Sequence, residues 1–270
     1  MLHNIQSELT EIRTRPLVQA FAIVALMVAC GGTLSGGDLT LRFQYEGELP
    51  VPEAIQVDKD AGFCGQHPLV DESLLVHPQD RGIKNVVVYL DTGRGGSEVA
   101  TVPSLKRTHT LTTQNCRFDP HILVMQAGDT LHLTNSDPVG HNANISLFRN
   151  PVSGQLIPRN GVGRMKLDLP EPAPLPVQCN IHPWMKAYVV VLQHRYVGVS
   201  DEHGKLVIRD LPEKELSFRV FAEAATGALG SVTVNGQQQD WSRNRFRYNI
   251  RAGENDMGTV TLTADHFGRP

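Results

Sequence analysis

Residues 177–185 read VQCNIHPWM, and they place Cys179, His182 and Met185 three positions apart from one another. The three side chains offer a thiol, an imidazole and a thioether, all of which can bind metal ions. Zinc sites use cysteine and histidine but rarely methionine, whereas thiolate and thioether together are typical of copper. The stretch is therefore either a strand that ends in an ordinary turn or the larger part of a copper site.

A blue-copper electron-transfer site needs a second histidine, because its metal is held by two histidines, one cysteine and a distant axial methionine. The candidate lies upstream, where residues 131–145 read LHLTNSDPVGHNANI. His141 follows a strand pattern and a polar turn in this stretch. We therefore take His141 as the candidate for the missing ligand.

The spacing from Phe118 to Asp137, F-x-P followed by G-D-T-L-x-L-x-N-x-D, leads into the loop of His141. Together with the later Cys-x2-His-x2-Met pattern, it resembles the cupredoxin family, and the ligand loop is similar to amicyanin- and plastocyanin-like loops. The resemblance covers roughly residues 110–193. It implies that one type 1 copper ion is bound by a set of four residues: His141, Cys179, His182 and the axial Met185.

The resemblance also implies roles for three neighbouring residues. Asn142 is similar to the residue that ties the two ligand loops together, with its N–H near the sulfur of Cys179. Pro183 has no N–H to donate to that thiolate, which favours a higher reduction potential. Trp184 is either a core plug or part of an apolar rim near His182, and cupredoxins pass electrons to their partners at such a rim.

The first functional hypothesis is a one-electron carrier that hands electrons to a redox partner protein. A closed site with four ligands leaves no position for a substrate, so we do not expect an enzyme. The alternatives are a copper-delivery module and a structural protein of the cell envelope. A net charge of −3 without long basic runs argues against nucleic acid as a partner.

After residue 37 the pattern is that of β-strands, which predicts an all-β fold with a cupredoxin-like Greek-key sandwich and a second, smaller sandwich. Residues 121–125 and 130–134 flank a short turn and are predicted to form a hairpin. Asn235-Gly236 predicts a tight turn. The remaining predicted strands are residues 39–45, 85–90, 187–193, 205–210, 217–223, 231–234 and 258–264.

The predicted organisation has four parts. Residues 1–30 form an export signal, residues 31–37 a flexible tether, and residues 38–193 the copper domain with an N-terminal extension. Residues 194–270 resemble small transthyretin-like or carboxypeptidase-regulatory-like domains. Whether residues 38–110 belong to the copper domain or form an added layer stays open at this point.

Residues 20–29 read AFAIVALMVA, an apolar run shorter than the about 20 residues that span a bilayer. Such a run after Arg13 and Arg15 is typical of a secretory signal. Leu26 to Cys30 resembles a bacterial lipobox, which implies a lipid anchor on Cys30. We expect a protein of the periplasm or cell envelope.

Two further cysteines, Cys64 and Cys116, are expected to form a disulfide in an oxidising compartment. The alternative is a zinc site with His67 and His121, whose spacings also suit metal ligands. The other histidines are expected to be surface or structural residues; they include His77, His109, His194, His203 and His266.

Overall fold

The computed structural model describes residues 36–151 and 153–268. The export signal and lipidation site predicted at residues 1–30 therefore lie outside the described residues. Helical structure in the described chain is limited to α1 (Ala61–Cys64) and two short 3-10 turns at Ser242–Asn244 and Ala264–Phe267. No described helix has the length and apolar character that crossing a membrane requires. The all-β prediction is confirmed.

Strands make up almost all of the regular structure. In chain order they are β1 (Gly37–Glu46), β2 (Val87–Leu90), β3 (Thr108–Gln114), β4 (Arg117–Asp119), β5 (Ile122–Gln126), β6 (Asp129–Asn135), β7 (His141–Ile145), β8 (Ser153–Ile157), β9 (Val162–Leu167), β10 (Leu175–Gln178), β11 (Lys186–Leu192), β12 (Val197–Val199), β13 (Lys205–Leu211), β14 (Glu215–Phe221), β15 (Gly230–Val234), β16 (Gln237–Trp241), β17 (Arg245–Asn249) and β18 (Gly253–Thr263).

Four sheets pack as consecutive layers. The first sandwich joins the sheet β4-β3-β6-β9 to the sheet β5-β11-β10-β7-β8 around an apolar core that includes Leu131, Leu133 and Val189. The second sandwich joins the sheet β13-β1-β18-β15-β16 to the sheet β12-β2-β14-β17 around a core that includes Phe43 and Trp241. Each core buries one face of each sheet, as sandwiches require.

A third apolar cluster joins the two sandwiches. Val87 and Tyr89 of β2 pack against Tyr188, Val190 and Leu192 of β11. The opposite faces of β2 and β11 fill the two main cores. Both strands are thus buried on both faces, which explains why their sequences are continuous apolar runs rather than alternating ones.

The strand pairing does not follow the predicted division after residue 193. β1 lies between β13 and β18, and β2 lies between β12 and β14, so both early strands build the second sandwich. Leu39 and Leu41 of β1 are buried in that core. Alternation along a strand predicts that one face is buried, but it does not say which sheet the strand joins.

The predicted hairpin of residues 121–125 and 130–134 is wrong. β5 pairs with β11, while β6 pairs with β3 and β9 in the opposite sheet of the first sandwich. Between them, Ala127 donates its N–H to Leu192 O and Gly128, with φ 98°, donates its N–H to Leu167 O. The turn therefore carries the chain from one sheet of the first sandwich to the opposite sheet. The tight turn predicted at Asn235-Gly236 does form a hairpin, which joins β15 to β16.

Candidate metal centre

The two candidate ligand loops meet at one end of the first sandwich. β7 begins at His141, and β10 ends immediately before Cys179. The strands are antiparallel neighbours with Val177 opposite Ile145, so the start of β7 lies beside the end of β10. The topology thereby brings His141 to the loop of residues 179–185.

Internal hydrogen bonds hold that loop in a compact shape. Gln178 and Lys186 are paired across β10 and β11, so residues 179–185 form the whole connection. The Cys179 N–H donates to Met185 O at 3.2 Å, and the Met185 N–H donates to His182 O at 2.9 Å. These hydrogen bonds keep the two ends of the loop close together.

Three of the four predicted ligands converge there. Nδ1 of His141 lies 3.0 Å from Nδ1 of His182, and that second nitrogen lies 3.7 Å from Sγ of Cys179. One donor atom from each residue lies within 4.8 Å of the other two. The three side chains are at most 1 % exposed. Met185 is equally buried at the end of the same loop, and its role as axial ligand stays a prediction.

Asn142 joins the two loops as the resemblance implied. Its backbone N–H lies 3.5 Å from Sγ of Cys179, and its side-chain Oδ1 accepts the Asn180 N–H at 2.8 Å. The first contact places a hydrogen-bond donor on the sulfur, and the second fixes the distance between the loops.

Each candidate histidine is held on its outer side by a carboxylate. Nε2 of His141 lies 2.9 Å from Oδ2 of Asp137, and Nε2 of His182 lies 2.9 Å from Oδ2 of Asp60. Asp137 is itself fixed, because it accepts the N–H groups of Asn115 and Cys116. Carboxylates in this position fix the ring orientation and the tautomer of metal-binding histidines.

Sequence reasoning assigned no role to either carboxylate. Asp137 was visible in the motif, four residues before His141, and that short spacing could have suggested the contact. Asp60 gave no such signal, because it lies 122 residues before His182.

The hydrogen bonds lead to an unusual arrangement of protons. If each ring donates its Nε2 proton to its carboxylate, both neutral rings turn bare Nδ1 lone pairs towards each other, 3.0 Å apart. Two facing lone pairs repel unless a proton or a metal ion lies between them, and the raised pKa of His141 favours such a proton before a metal binds. The donor set of two imidazole nitrogens and one sulfur is the trigonal set of blue copper sites, so the residues fit a copper ion.

The surroundings favour the charged forms of Cys179 and His141. Burial by itself raises the pKa of the thiol, but hydrogen bonds from the two histidines and from the Asn142 N–H lower it to about 6. Burial lowers the pKa of His141, but its hydrogen bonds to Asp137 and Cys179 raise it overall. A thiol that loses its proton this readily is prepared to act as a metal ligand.

The disulfide between Cys64 and Cys116 is present, so neither sulfur is available for the alternative zinc site. His121, which would have been a ligand in the alternative zinc site, instead lies between Glu223 and Glu72. The disulfide lies beside the candidate centre, because Asp60 directly precedes α1 with Cys64 at its end. The other cysteine of the disulfide, Cys116, also contacts the ligand loop, because its carbonyl oxygen accepts the indole N–H of Trp184 at 3.1 Å.

The structure does not decide between the two interpretations of Trp184, a core plug or part of an apolar rim near His182. The His182 ring is fully buried, and Asp60, from the segment that precedes the disulfide, contacts its outer nitrogen. Trp184 is half-buried, packs near His182 with 5.2 Å between ring centroids, and helps to line a cavity of about 390 Å³. Trp184 thus reaches the first core and also borders solvent-accessible space.

No protein-family model matches the chain, and no curated protein matches it. Among solved structures, a mutant of amicyanin in its Cu(I) form has a TM-score of 0.27 and 15% identity, covering 30% of this chain and 79% of that one. A purple cupredoxin from Nitrosopumilus maritimus has a TM-score of 0.26 and 18% identity, covering 30% and 97%. A copper-containing nitrite reductase from Thermus scotoductus has a TM-score of 0.28 and 21% identity, covering 38% and 26%. At such scores the likenesses carry no argument about this chain, and its chemistry rests on the geometry of the site.

Proposed function

We propose that this protein binds one type 1 copper ion and carries single electrons. His141, Cys179 and His182 would form the trigonal ligand set, and Met185 would be the weak axial ligand. The observation that carries the proposal is the pair of buried Nδ1 atoms, which face each other 3.0 Å apart beside the Cys179 sulfur.

The copper ion would supply a reversible one-electron change between Cu(I) and Cu(II). The chain's own residues prepare the site for it. The lowered pKa of Cys179 makes a thiolate available near neutral pH. Asp137 and Asp60 keep both rings oriented, and the full burial of the cluster excludes water.

Rigid ligands suit electron transfer better than metal exchange. The loop of residues 179–185 is closed by its own hydrogen bonds, and Asn142 links it to β7. A fixed ligand set needs little rearrangement when the charge of the metal changes. This rigidity and the burial favour an electron carrier over the alternative, a copper-delivery module, whose metal has to leave readily.

We infer that the protein is not an enzyme, since a buried, closed ligand set leaves no room for a substrate beside the metal. Its partner would be another redox protein. Two routes lead from His182 to the surface: its hydrogen bond to Asp60, whose side chain is 42% exposed, and its contact with Trp184. We also propose that the protein acts in the periplasm or cell envelope, exported through residues 1–30 and anchored through Cys30.

Copper titration of the purified protein tests the proposal. We expect one equivalent of Cu(II) to give the intense blue absorption of a copper–thiolate bond, which a reductant bleaches and an oxidant restores. Cys179→Ser should abolish the colour, whereas His109→Ala, which removes a histidine elsewhere in the first sandwich, should keep it. Colourless copper that a chelator removes quickly would favour delivery. A protein that binds no copper would favour a structural role.

A further inference from the structure

Two histidines and an aspartate meet in the loops of the second sandwich. His77 and Asp80 lie in the turn of residues 77–82, and His203 lies in the turn of residues 201–205. Nδ1 of His77 is 3.0 Å from Oδ1 of Asp80, and Nδ1 of His203 is 2.7 Å from Oδ2 of the same carboxylate. We propose that these three residues form a second metal site, for a divalent ion such as Zn²⁺ with water as its fourth ligand. The proposal does not depend on the copper function.

The two rings are arranged like the candidate copper ligands. The ring centroids of His77 and His203 are 4.7 Å apart with 56° between the planes, and those of His141 and His182 are 4.7 Å apart with 53°. Both pairs present Nδ1 to the third donor. Here that donor is a carboxylate, which suits Zn²⁺ and other borderline or hard divalent ions and does not suit Cu(I).

The donor distances suit one small ion. One donor atom from each of the three residues lies within 4.8 Å of the other two. Ligand atoms at about 2.0–2.1 Å from a tetrahedral zinc ion are roughly 3.4 Å from one another. The observed nitrogen–oxygen distances of 3.0 and 2.7 Å therefore have to lengthen by under about 1 Å.

Backbone hydrogen bonds hold both turns in place before any metal binds. In the first turn, the His77 N–H donates to Gly82 O at 2.8 Å, and the Gly82 N–H donates to Oδ1 of Asp80 at 3.0 Å. In the second turn, the His203 N–H donates to Oδ1 of Asp201 at 2.9 Å. The turns also touch, because a Cβ added to Gly82 would lie 2.1 Å from the His203 carbonyl carbon. The site would thus be largely preformed.

The surroundings allow an ion to reach these residues. The side chains of His77, Asp80 and His203 are 25%, 37% and 45% exposed, so a metal ion and its water can approach from solvent. Arg42 is the competing cation, with Nη2 3.5 Å from Oδ1 of Asp80. The negative charge of Glu202 partly offsets the positive charge of Arg42, since Oε1 of Glu202 lies 3.6 Å from Nε2 of His203. We therefore expect a site of modest affinity.

Zinc titration of the full chain, carrying one equivalent of copper kept as Cu(I) by ascorbate, tests the proposal, with a chromophoric chelator as competitor and no histidine tag. We expect one equivalent of Zn²⁺ to bind, and His77→Ala and His203→Ala each to weaken that binding at least about 10-fold. His109→Ala is the matched control, because His109 also pairs with a carboxylate, that of Asp129, but belongs to none of the metal-ligand clusters among the described residues. This control should leave zinc affinity unchanged.

Asp80→Asn keeps the size of the third ligand, so it replaces the histidine variants if either of them fails to fold. Zn²⁺ should raise the thermal unfolding midpoint of the wild-type chain and not that of Asp80→Asn. Equal zinc affinity in the wild type and the His77→Ala/His203→Ala double variant would overturn the proposal. So would the absence of saturable zinc binding by the wild type.

Discussion

Oδ2 of Asp60 lies 2.9 Å from Nε2 of His182, although 122 residues separate the two along the chain. The contact places a carboxylate on the outer nitrogen of a candidate copper ligand. Asp60 is positioned by the segment that ends in the disulfide of Cys64 with Cys116. The candidate centre is therefore completed by a part of the chain outside the region that resembles cupredoxins.

Asp60→Asn should keep the blue site but raise its reduction potential. The carboxylate makes His182 a more basic ligand, which favours Cu(II), and the amide does so less. Loss of such an outer partner is also expected to weaken copper binding about 10- to 100-fold. Voltammetry and copper competition measure the two effects. Asp58→Asn, an exposed change in the same segment, is the control, and an equal effect of both variants would contradict this role for Asp60.

Met185→Leu should retain copper and shift the reduction potential upward. A weak axial thioether tunes the potential more than it holds the metal, and leucine removes the sulfur while keeping a similar volume. The change in unfolding free energy should stay under about 1.5 kcal/mol. Visible spectroscopy and voltammetry are the measurements. Complete loss of copper in this variant would show that Met185 has a different role.

Replacing both Cys64 and Cys116 with serine should lower the free energy of unfolding by about 2–4 kcal/mol, because the disulfide closes a long loop in the unfolded chain. Copper affinity should fall as well, since the backbone of Cys116 holds Asp137 and α1 positions Asp60. Denaturant unfolding and copper competition check both effects. A thiol titration of unfolded, unreduced protein that finds both cysteines free would rule out the disulfide.

The stability that His121 contributes to the chain should be lost as the pH rises from about 6.5 to 9. Burial lowers the pKa of His121, but its hydrogen bonds to Glu223 and Glu72 outweigh burial and raise the pKa to about 9. A raised histidine pKa contributes stability that is complete below the unfolded value of 6.5 and is lost as the pH passes the folded value. The loss should amount to at most about 3 kcal/mol.

Denaturant unfolding at several pH values measures this loss. The unfolding free energy of the wild type minus that of His121→Gln should shrink between pH 6.5 and 9, and taking this difference cancels the opposite contribution of Cys179, whose pKa is lowered. A difference that stays constant over this pH range would contradict the role assigned to His121.

Local sequence patterns predicted nine of the 18 described strands, because alternation and apolar runs reflect burial directly, and missed the other nine, which include β3, β7 and β10. Leu39, Leu41 and Phe43 alternate with polar residues, and all three are buried in β1. The pattern could not show that β1 pairs with β18 at the other end of the chain. Strand pairing depends on which surfaces are left uncovered in the whole fold, and a short window does not contain that information.

The candidate site likewise contains residues that local sequence could predict and one that it could not. Cys179, His182 and Met185 lie on one loop, and His141 precedes Asn142 in a loop whose motif is visible, so all four could be proposed from spacing and resemblance. Asp60 could not, because a single carboxylate in a polar loop looks like many others. The hairpin prediction for β5 and β6 failed for a related reason: a short turn can join two paired strands or cross between two sheets.

X-ray absorption at the copper edge of the loaded protein tests the central claim most directly. We predict a first shell with two imidazole nitrogens and one short copper–sulfur distance, and loss of that short sulfur distance in Cys179→Ser. A shell of nitrogen and oxygen atoms alone, unchanged in Cys179→Ser, would contradict the assignment of Cys179, His141 and His182 as ligands of a type 1 copper ion.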